Sequence, residues 1–349
     1  MAQHKLKHGI LTLLTGSLLS TAVFAKDNSK SILLAISKTD HTLVFVDPQT
    51  LKILGKAPVG EDPHEVVVSE DGRLAYVSNT GSGKFHEINV IDIPTMKALP
   101  SLDTGALLGP HGMTYVGGKL WFTAEGSKSV ARLNPKDGKV DWIMGIGQNR
   151  THMLQVSADE KQVYATNVDS GTVSILDNLL LPPPIPPIGK PLPTAKPQMG
   201  WLQTVIPAGK GAEGFDISPD KKRIWVTNAH DATVSIIDIP TKKVIETIDT
   251  KTLGISRAKF TPDGKRILIS SLRTGDLLIY DTTTLKELKK INLGKGAAHI
   301  LIEPSGNRAF VSCTPAGYIS IIDLQKMEIS GKLDIGPRPD GMDWAPAAP

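Results

Sequence analysis

Short apolar runs that alternate with polar residues recur along the chain, and polar turns separate them. A strand that ends in Asp or Asn returns at intervals of 42 to 45 residues, with one longer interval of 61. The end residues are Asp47, Asp92, Asn134, Asp177, Asp238, Asp281 and Asp323. A unit of this length with period-two alternation is typical of four short strands. The pattern therefore predicts an all-β fold, a seven-bladed β-propeller with four antiparallel strands in each blade.

The two ends of the repeat region complement one another. The N-terminal part predicts three strands, at 31–37, 43–47 and 51–59, and the C-terminal part predicts one, at 340–346. Three strands and one strand make a complete blade, so we expect the ring to close by pairing the two ends of the chain. Such closure leaves no open sheet edge at which the ring could aggregate.

The long interval contains an insertion at 179–200, with eight prolines between Pro182 and Pro197. Proline removes a backbone donor and is excluded from the interior of a sheet. The insertion therefore predicts a polyproline-like excursion between the third and fourth strands of one blade. Two interpretations stay open, a passive surface loop and a docking site for a partner protein.

Residues 1–25 have the organisation of an export signal. Lys5 and Lys7 precede a mostly apolar stretch at 10–19, and the segment ends on Val23, Phe24 and Ala25. This predicts a cleavable secretory signal, cut between Ala25 and Lys26, and a periplasmic or secreted protein. The apolar stretch is shorter than the about 20 residues of a membrane anchor, so no membrane span is expected after cleavage. Residues 26–349 then form a single propeller domain, expected as a monomer.

Charge and cysteine content narrow the possible chemistry. The chain carries 39 Lys and Arg against 35 Asp and Glu, a net charge of +4, which is too small to favour nucleic acid or an anionic membrane as partner. The single cysteine, Cys313, excludes an internal disulfide, a cysteine-based zinc cluster, an iron–sulfur cluster and c-type haem attachment. Any metal would have to be held by histidine, carboxylate or carbonyl groups.

Ionisable residues recur at one place in the repeat, near the start of the first strand. In a propeller this strand lines the central channel, and the loop before it opens on the face where ligands usually bind. Five of the seven blades carry a histidine or an acid at the equivalent position: His64, His111, His152, Glu213 and Asp340. We therefore expect a ring of polar side chains at the channel mouth, open to a small ligand, a metal ion or a partner protein.

The other two blades leave the direction of their ionisable residues open. Strict alignment on the turns puts Ser256 and Ala298 at the channel position, and Arg257 and His299 follow one residue later. A shift of one residue along a strand turns a side chain to the other face. Arg257 and His299 are therefore candidates whose inward or outward direction the sequence leaves undecided. The loop between the second and third strands opens on the same face and adds His86, His230 and Asp231.

Three interpretations of this ring compete. His64, His111 and His152, with a carboxylate from Glu213 or Asp340, could bind a divalent cation, and nitrogen ligands favour zinc or copper over magnesium or calcium. Alternatively, His64 and Glu213 could act as general base and acid on a lactone or ester, with Arg257 stabilising an oxyanion. In the third interpretation the residues are a polar lining that hydrogen-bonds to neighbouring blades. The motifs of serine hydrolases and zinc proteases do not occur in the sequence, so enzymatic activity stays open.

The second strands carry a further signature. They read Ala-Tyr-Val-Ser-Asn at 75–79, Val-Tyr-Ala-Thr-Asn at 163–167 and Ile-Trp-Val-Thr-Asn at 224–228. These resemble the Tyr-Val-Thr-Asn motif of the YVTN-repeat β-propellers, which include exported YncE-like proteins. With the Pro-His pairs and the Ser-Pro-Asp turn at 218–220, the resemblance covers residues 31–346.

The resemblance implies the fold and leaves the activity open. The wider group of seven-bladed propellers includes sugar lactonases, streptogramin lyases and a copper-cluster reductase domain, and fold alone does not choose among them. The sequence predicts an exported binding or scaffold protein that presents its channel mouth to a small ligand, a metal ion or a partner. The alternative is a lactonase-like hydrolase or lyase that uses the same residues.

Overall fold

The apolar alternation of the repeats becomes 28 strands in seven four-stranded sheets within residues 31–183 and 196–346, the part of the chain that this computed structural model describes. The expected signal at 1–25 and most of the proline-rich segment lie outside the described residues. Within the described ranges, none of the helices has the length and apolar character needed to span a membrane.

Every sheet is antiparallel and forms one blade, numbered here along the chain. Blade 1 contains β1 (Ser31–Ser37), β2 (Thr42–Val46) and β3 (Ile53–Pro58) with β28 (Pro339–Pro346). Blade 2 contains β4 (Pro63–Val68), β5 (Leu74–Asn79), β6 (Glu87–Asp92) and β7 (Lys97–Asp103). Blade 3 contains β8 (Pro110–Val116), β9 (Lys119–Ala124), β10 (Ser129–Asn134) and β11 (Lys139–Gly145). Blade 4 contains β12 (Thr151–Val156), β13 (Gln162–Asn167), β14 (Thr172–Leu181) and β15 (Gln198–Pro207).

The remaining three blades repeat the same order. Blade 5 contains β16 (Ala212–Ile217), β17 (Arg223–Asn228), β18 (Thr233–Asp238) and β19 (Lys243–Asp249). Blade 6 contains β20 (Ile255–Phe260), β21 (Arg266–Ser271), β22 (Asp276–Asp281) and β23 (Glu287–Asn292). Blade 7 contains β24 (Ala297–Ile302), β25 (Arg308–Cys313), β26 (Tyr318–Asp323) and β27 (Glu328–Leu333). Two short 3-10 turns lie at Gly81–Gly83 and Thr314–Ala316.

The two chain ends close the ring in blade 1. Strand β28 pairs antiparallel with β1, with Leu33 opposite Trp344 and Ala35 opposite Met342. The predicted seven blades, their four strands and the closure by three N-terminal strands and one C-terminal strand are confirmed. The inner edge of the closing blade is therefore formed by residues from the far end of the chain.

The hydrophobic core lies between adjacent blades, in seven clusters. Between blades 1 and 2, for example, Leu34 and Phe45 pack with Val66 and Val77, and all four side chains are buried. The second and third strands of each blade are buried on both faces because each blade is covered by its neighbours on both sides. Full burial of one such side chain stabilises the fold by about 1.5–3 kcal/mol, so the ring is held together by contacts between blades.

The first strands share an irregularity near the channel mouth. Their pairing with the second strand shifts between Pro63 and Val66 in blade 2, and at the equivalent places in blades 3, 4, 5 and 7. In blade 6 the shift falls between Ile255 and Arg257. A β-bulge re-aims side chains that a regular strand would send to opposite faces. Two successive residues of one strand can therefore both reach the channel.

The third and fourth strands of blade 4 are longer than the others. Strands β14 and β15 have ten residues each, and their pairing continues to Leu181 opposite Gln198. Residues 179–181 and 198–200, which fall inside the predicted excursion at 179–200, therefore continue the hairpin. These flanks contain no proline, so their backbone donors remain available for the ladder.

Candidate functional site

A cavity of 640 Å³ opens at the mouth of the central channel. The starts of the first strands surround it, together with the residues that follow the second strands of neighbouring blades. Its charged and imidazole-bearing walls come from Lys38, Asp62, His64, His111, Glu125, Lys128, Arg150, Asp169 and Arg338. Because these positions come from blades 1 to 4, the cavity lies toward one side of the mouth.

Three histidines predicted to share the mouth lie side by side. His64, His111 and His152 are the second residues of β4, β8 and β12. The ring centroids of His64 and His111 are 4.7 Å apart, and those of His111 and His152 are 4.1 Å apart. Equivalent positions on adjacent blades thus form a continuous row of imidazoles, as the repeat spacing led us to expect.

The group that could hold a metal ion is His111, Glu125 and His152, called here the mouth cluster. One ligand atom from each residue lies within 4.8 Å of the other two. The exposed fraction of the side chain is 3% for His152 and 11% for Glu125, and His111 is 3% exposed as a residue. Two imidazoles and a carboxylate therefore lie close enough together to bind one metal ion, and His111 and Glu125 also line the cavity.

The hydrogen bonds of the mouth cluster leave lone pairs available to a metal ion. His152 Nδ1 lies 3.3 Å from the backbone oxygen of Glu213, so the tautomer that donates from Nδ1 keeps a lone pair on Nε2. This Nε2 lies 3.8 Å from Glu125 Oε1. His111 Nδ1 and Glu125 Oε1 are buried without a hydrogen-bond partner among the described residues. A buried acceptor that finds no donor is unfavourable, and a cation would satisfy all three.

Burial sets the protonation of the mouth cluster. It lowers the pKa of His111 and of His152 well below the usual range of histidine, and nearby positive groups, Arg257 foremost for His152, act in the same direction. Burial also raises the pKa of Glu125, against the opposing charge of Arg150. Both imidazoles are therefore neutral at pH 7, which is the form that binds a metal.

His64 has different partners from the other two histidines. Its Nε2 lies 3.1 Å from Asp62 Oδ1, and its Nδ1 lies 3.6 Å from Asp340 Oδ2. Lys38 Nζ joins the same two carboxylates, at 3.1 Å and 3.3 Å. Burial opposes ionisation of Asp62, but His64 and Lys38 outweigh it and hold the pKa of Asp62 below its usual range. His64 and Asp340 thus belong to an ion-pair network on the cavity wall, and Glu125 supplies the carboxylate that the sequence expected from Glu213 or Asp340.

Deeper in the channel lies a second group, Glu65, Glu213, Arg257 and His299, called here the channel ion cluster. Arg257 Nη2 is 2.9 Å from Glu65 Oε1, and Arg257 Nη1 is 3.3 Å from Glu213 Oε1. His299 Nδ1 lies 3.3 Å from Glu65 Oε2. Arg257 and His299 are the third residues of their strands, as Glu65 is in β4. Both therefore face the channel, which the sequence left undecided.

The charges of the channel ion cluster compensate one another. Burial would raise the pKa of Glu65, but Arg257 and His299 outweigh it and hold this pKa below the usual range. For Glu213, burial prevails over Arg257 and raises the pKa. Arg257, between the two carboxylates, has a raised pKa despite its burial. Its guanidinium is thus engaged by protein carboxylates.

The loop residues lie outside both clusters. His86 is exposed and pairs with Asp103 at 3.0 Å. Asp231 accepts a hydrogen bond from the backbone of Lys210 at 2.9 Å. His230 lines a separate cavity of 490 Å³, which also includes Glu213. The lone cysteine, Cys313, is buried.

Glu125 was not singled out from the sequence, because only His86, His230 and Asp231 were taken from the loops between second and third strands. It directly follows the second strand of blade 3, and the equivalent residues of the other blades are Lys38, Thr80, Val168, Ala229, Leu272 and Thr314. Five of those six are uncharged, so an acid stands out at this position. Alignment of the repeats at the end of the second strand would have found both Glu125 and Lys38, and both line the cavity.

Comparison with known proteins gives matches at several levels. The sequence family described as the cytochrome D1 heme domain matches residues 182–313, which is less than half of the chain. The uncharacterized protein YncE of Salmonella typhimurium is 26% identical over 153 residues, which are 40% of this chain and 40% of that protein. The match thus spans well under half the length of this curated relative.

Two solved structures share the fold. A functionally unknown protein from Desulfotomaculum acetoxidans superposes with a TM-score of 0.71 at 11% identity, covering 91% of this chain and 99% of its own. A putative 6-phosphogluconolactonase from Bacteroides uniformis has a TM-score of 0.72 at 17% identity, covering 91% of this chain and 100% of its own. At these identities the likeness shows the fold alone.

Proposed function

Because the chain is a distant homologue of YncE with a seven-bladed propeller fold, we propose that it is a metal-binding propeller whose ion receives a small ligand at the channel mouth. The observation that carries this proposal is the mouth cluster. One ligand atom from each of three largely buried side chains lies within 4.8 Å of the other two, and among the described residues His111 Nδ1 and Glu125 Oε1 have no hydrogen-bond partner. A divalent cation between these atoms would satisfy the cluster.

The ligand set favours zinc or copper. Two neutral imidazole nitrogens and one carboxylate suit these metals, whereas calcium and magnesium prefer oxygen ligands. His152 supports the assignment because its other ring nitrogen faces the backbone oxygen of Glu213 at 3.3 Å. Metal-binding histidines usually have such a second partner, which fixes the ring and its tautomer.

The position of the ion would leave it accessible. His111 and Glu125 of the mouth cluster line the 640 Å³ cavity, and the cluster supplies three protein ligands. A zinc ion with three protein ligands keeps a position for water or a ligand, as catalytic zinc sites do, whereas structural sites have four. The cavity therefore supports binding of a small molecule directly to the metal.

The family that matches residues 182–313 is described as a haem domain, so the geometry of the mouth cluster must be compared with the ligands that haem needs. A macrocycle supplies four nitrogen ligands of its own and leaves only two positions, on opposite faces of the ring. The rings of His111 and His152 instead pack against each other, with centroids 4.1 Å apart, which leaves no room for a macrocycle between them. Of the two histidines in the matched segment, His299 contacts Glu65 and His230 lines another cavity. These residues do not fit an axially ligated haem at the mouth, so we assign the cluster to a bare ion.

The second candidate function is a lactonase-like hydrolase. A metal ion with an open position can lower the pKa of a bound water and polarise a carbonyl, and the cavity above the cluster would admit a small lactone. The putative 6-phosphogluconolactonase with the same fold is consistent with this candidate. Of the residues first considered for catalysis, Glu213 and Arg257 pair with each other and His64 pairs with Asp62. A metal-bound water would therefore act as the nucleophile, and the ion would stabilise the oxyanion in place of Arg257.

Export and partner docking rest on sequence. We propose that the protein acts in the periplasm or outside the cell, on the signal-like residues 1–25. Docking of a partner protein at the proline-rich segment stays a prediction, tested by deleting residues 182–197 and measuring capture of that partner.

Metal analysis tests the proposal. We would purify the protein without an affinity tag or chelator, add zinc or copper, desalt, and measure bound metal and its affinity by titration calorimetry. We expect one equivalent in the wild type and at least about a 100-fold weaker affinity in the double variant His111→Ala and His152→Ala. The matched control removes two other histidines, with His86→Ala and His230→Ala, and should keep the metal. Equally negligible metal in wild type and double variant would refute the proposal.

A further inference from the structure

One position of the repeat has the same backbone conformation in all seven blades. The residue directly before each first strand has a positive φ, the left-handed region that favours glycine. In four blades this residue is glycine: Gly109, Gly211, Gly254 and Gly296. In the other three it is charged: Asp62 at φ 50°, Arg150 at φ 55° and Arg338 at φ 54°.

The three charged residues share one location. All of them line the 640 Å³ cavity above the mouth cluster, and none of the four glycines does. Asp62 has an evident role in the ion-pair network with Lys38 and His64. The two arginines lack an equivalent role in the fold. Side chains that take a conformation suited to glycine, and do so around a cavity, point to a function for the side chains themselves.

Arg150 and Arg338 form few contacts with other protein groups, whereas the buried Arg257 is held by two carboxylates. Within residues 31–183 and 196–346, Arg338 is exposed and forms no ion pair or side-chain hydrogen bond. Arg150 has a side chain that is 47% exposed, and its one ion-pair contact is a long one, with Nε 3.7 Å from Glu125 Oε1. Lys128, also exposed, lines the same cavity. Lys38, by contrast, is held by Asp62 and Asp340.

We propose that Lys128, Arg150 and Arg338, called here the cationic rim, bind the oxyanion of a small ligand, a carboxylate or a phosphate group. Planar guanidinium groups recognise these oxyanions through paired hydrogen bonds. The rim lines the same cavity as His111 and Glu125 of the mouth cluster, so one ligand can contact the rim and the metal ion together. This inference rests on the proposed function, because it takes the ion as the second anchor of the ligand.

Metal and oxyanion should bind cooperatively. Arg150 is the cation nearest to Glu125 among its ion-pair contacts, at 3.7 Å. When Glu125 binds a metal ion, the ion compensates the carboxylate charge and releases Arg150 to the ligand. Each partner then tightens the binding of the other by the same factor, because coupling of binding free energies is reciprocal.

Glycine substitution provides a sharp test. We would titrate inorganic phosphate, and separately succinate, into zinc-loaded and metal-free protein. In the double variant Arg150→Gly and Arg338→Gly we expect affinity at least about tenfold weaker. We expect the melting temperature to stay equal or to rise, because glycine suits the left-handed backbone. A merely structural role of the arginines predicts the opposite, a lower melting temperature and unchanged affinity.

Lys221→Gly is the matched control, since Lys221 is an exposed cation at φ 59° away from this cavity, and it should keep the affinity.

The outcomes separate this inference from the proposed function. Binding of either anion that weakens in the double variant supports the rim, and a preference between succinate and phosphate identifies the group. If zinc binds but neither anion does, or if the double variant binds as the wild type does, the inference is refuted and the metal proposal stands. If an anion binds through the rim while no metal binds at the mouth cluster, the proposed function is refuted and the rim stands without its coupling.

Discussion

Two buried polar groups occupy the central channel, and they differ in how their charges are matched. In the channel ion cluster, Arg257 lies between Glu65 and Glu213, at 2.9 Å and 3.3 Å. In the mouth cluster, His111 Nδ1 and Glu125 Oε1 are buried without a hydrogen-bond partner among the described residues, and the nearest charged nitrogen to Glu125, Arg150 Nε, is 3.7 Å away. Burial alone therefore does not identify a binding site in this protein. The lack of a close counter-ion for the buried carboxylate of Glu125 does.

The two glutamates show the same contrast. Glu65 is 4% exposed, and the charge of Arg257 at 2.9 Å outweighs burial, so its pKa lies below the usual range. Glu125 has its nearest cationic nitrogen, Arg150 Nε, at 3.7 Å, and burial prevails, so its pKa is raised. The strands place both carboxylates in the same channel. Of these two, only Glu65 has its negative charge compensated by a close counter-ion of the protein.

Removal of Arg257, the cation between two carboxylates of the channel ion cluster, should give the largest change in the free energy of unfolding. Arg257→Met leaves Glu65 and Glu213 without their shared guanidinium, which should lower the free energy of unfolding by about 3–5 kcal/mol. Glu125→Gln in metal-free protein should change it by less than about 1 kcal/mol, because this carboxylate has no close counter-ion to lose. Urea unfolding at pH 7 measures both. Equal effects of the two substitutions would contradict the contrast between the clusters.

The second largest effect should be the pH dependence of the stability of the metal-free protein. The pKa of His111 and of His152 is lowered in the folded protein, so the unfolded chain binds protons first. Their stabilising contribution is present above the unfolded pKa of about 6.5 and is lost as the pH falls below it, by about 1.4 kcal/mol per pH unit for each histidine. Between pH 6.5 and 5.5 the two should together lose about 2 kcal/mol.

Substitution of the two buried histidines isolates their contribution to the pH dependence of stability. The double variant His111→Gln and His152→Gln should show a flatter dependence of the urea unfolding free energy on pH than the wild type. The exposed pair, substituted as His86→Gln and His230→Gln, should follow the wild type. An unchanged slope in the first variant would mean that these imidazoles are not held neutral in the folded protein.

An acid near the other end of the channel should give a smaller effect of opposite sign. Burial raises the pKa of Asp343 to about 6, against hydrogen bonds from the backbone of Trp344 and Val68. The folded protein therefore binds this proton first, and stability rises as the pH falls from 6 toward the unfolded pKa. From pH 6 to pH 5 we expect about 1 kcal/mol. The difference in unfolding free energy between wild type and Asp343→Asn should show this rise, and a constant difference would contradict it.

The repeats explain how much of this could be predicted. Strand ends at a constant interval give the seven blades and their closure, and one position of the first strand gives the row of His64, His111 and His152. These follow from backbone periodicity, which a sequence displays directly. The same periodicity does not state which side chains will pair across the ring.

Pairing across the channel depends on side-chain length and on the bulges of the first strands. Glu65 meets Arg257, which lies 192 residues away, and neither the spacing nor the composition indicates that contact. The bulges also turn Arg257 and His299 inward, although regular alternation left their direction open. Glu125 joins the site from the loop that directly follows the second strand of blade 3, at a position where no other blade carries an acid.

The central claim is that the mouth cluster holds one divalent ion and that the channel ion cluster holds none. Diffraction from zinc-soaked crystals, collected on both sides of the zinc absorption edge, tests this most directly. We predict a single anomalous peak in the channel, about 2.0–2.2 Å from ring nitrogens of His111 and His152 and from an oxygen of Glu125. A channel without a peak, or a peak between His64 and Asp62 instead, would contradict the account.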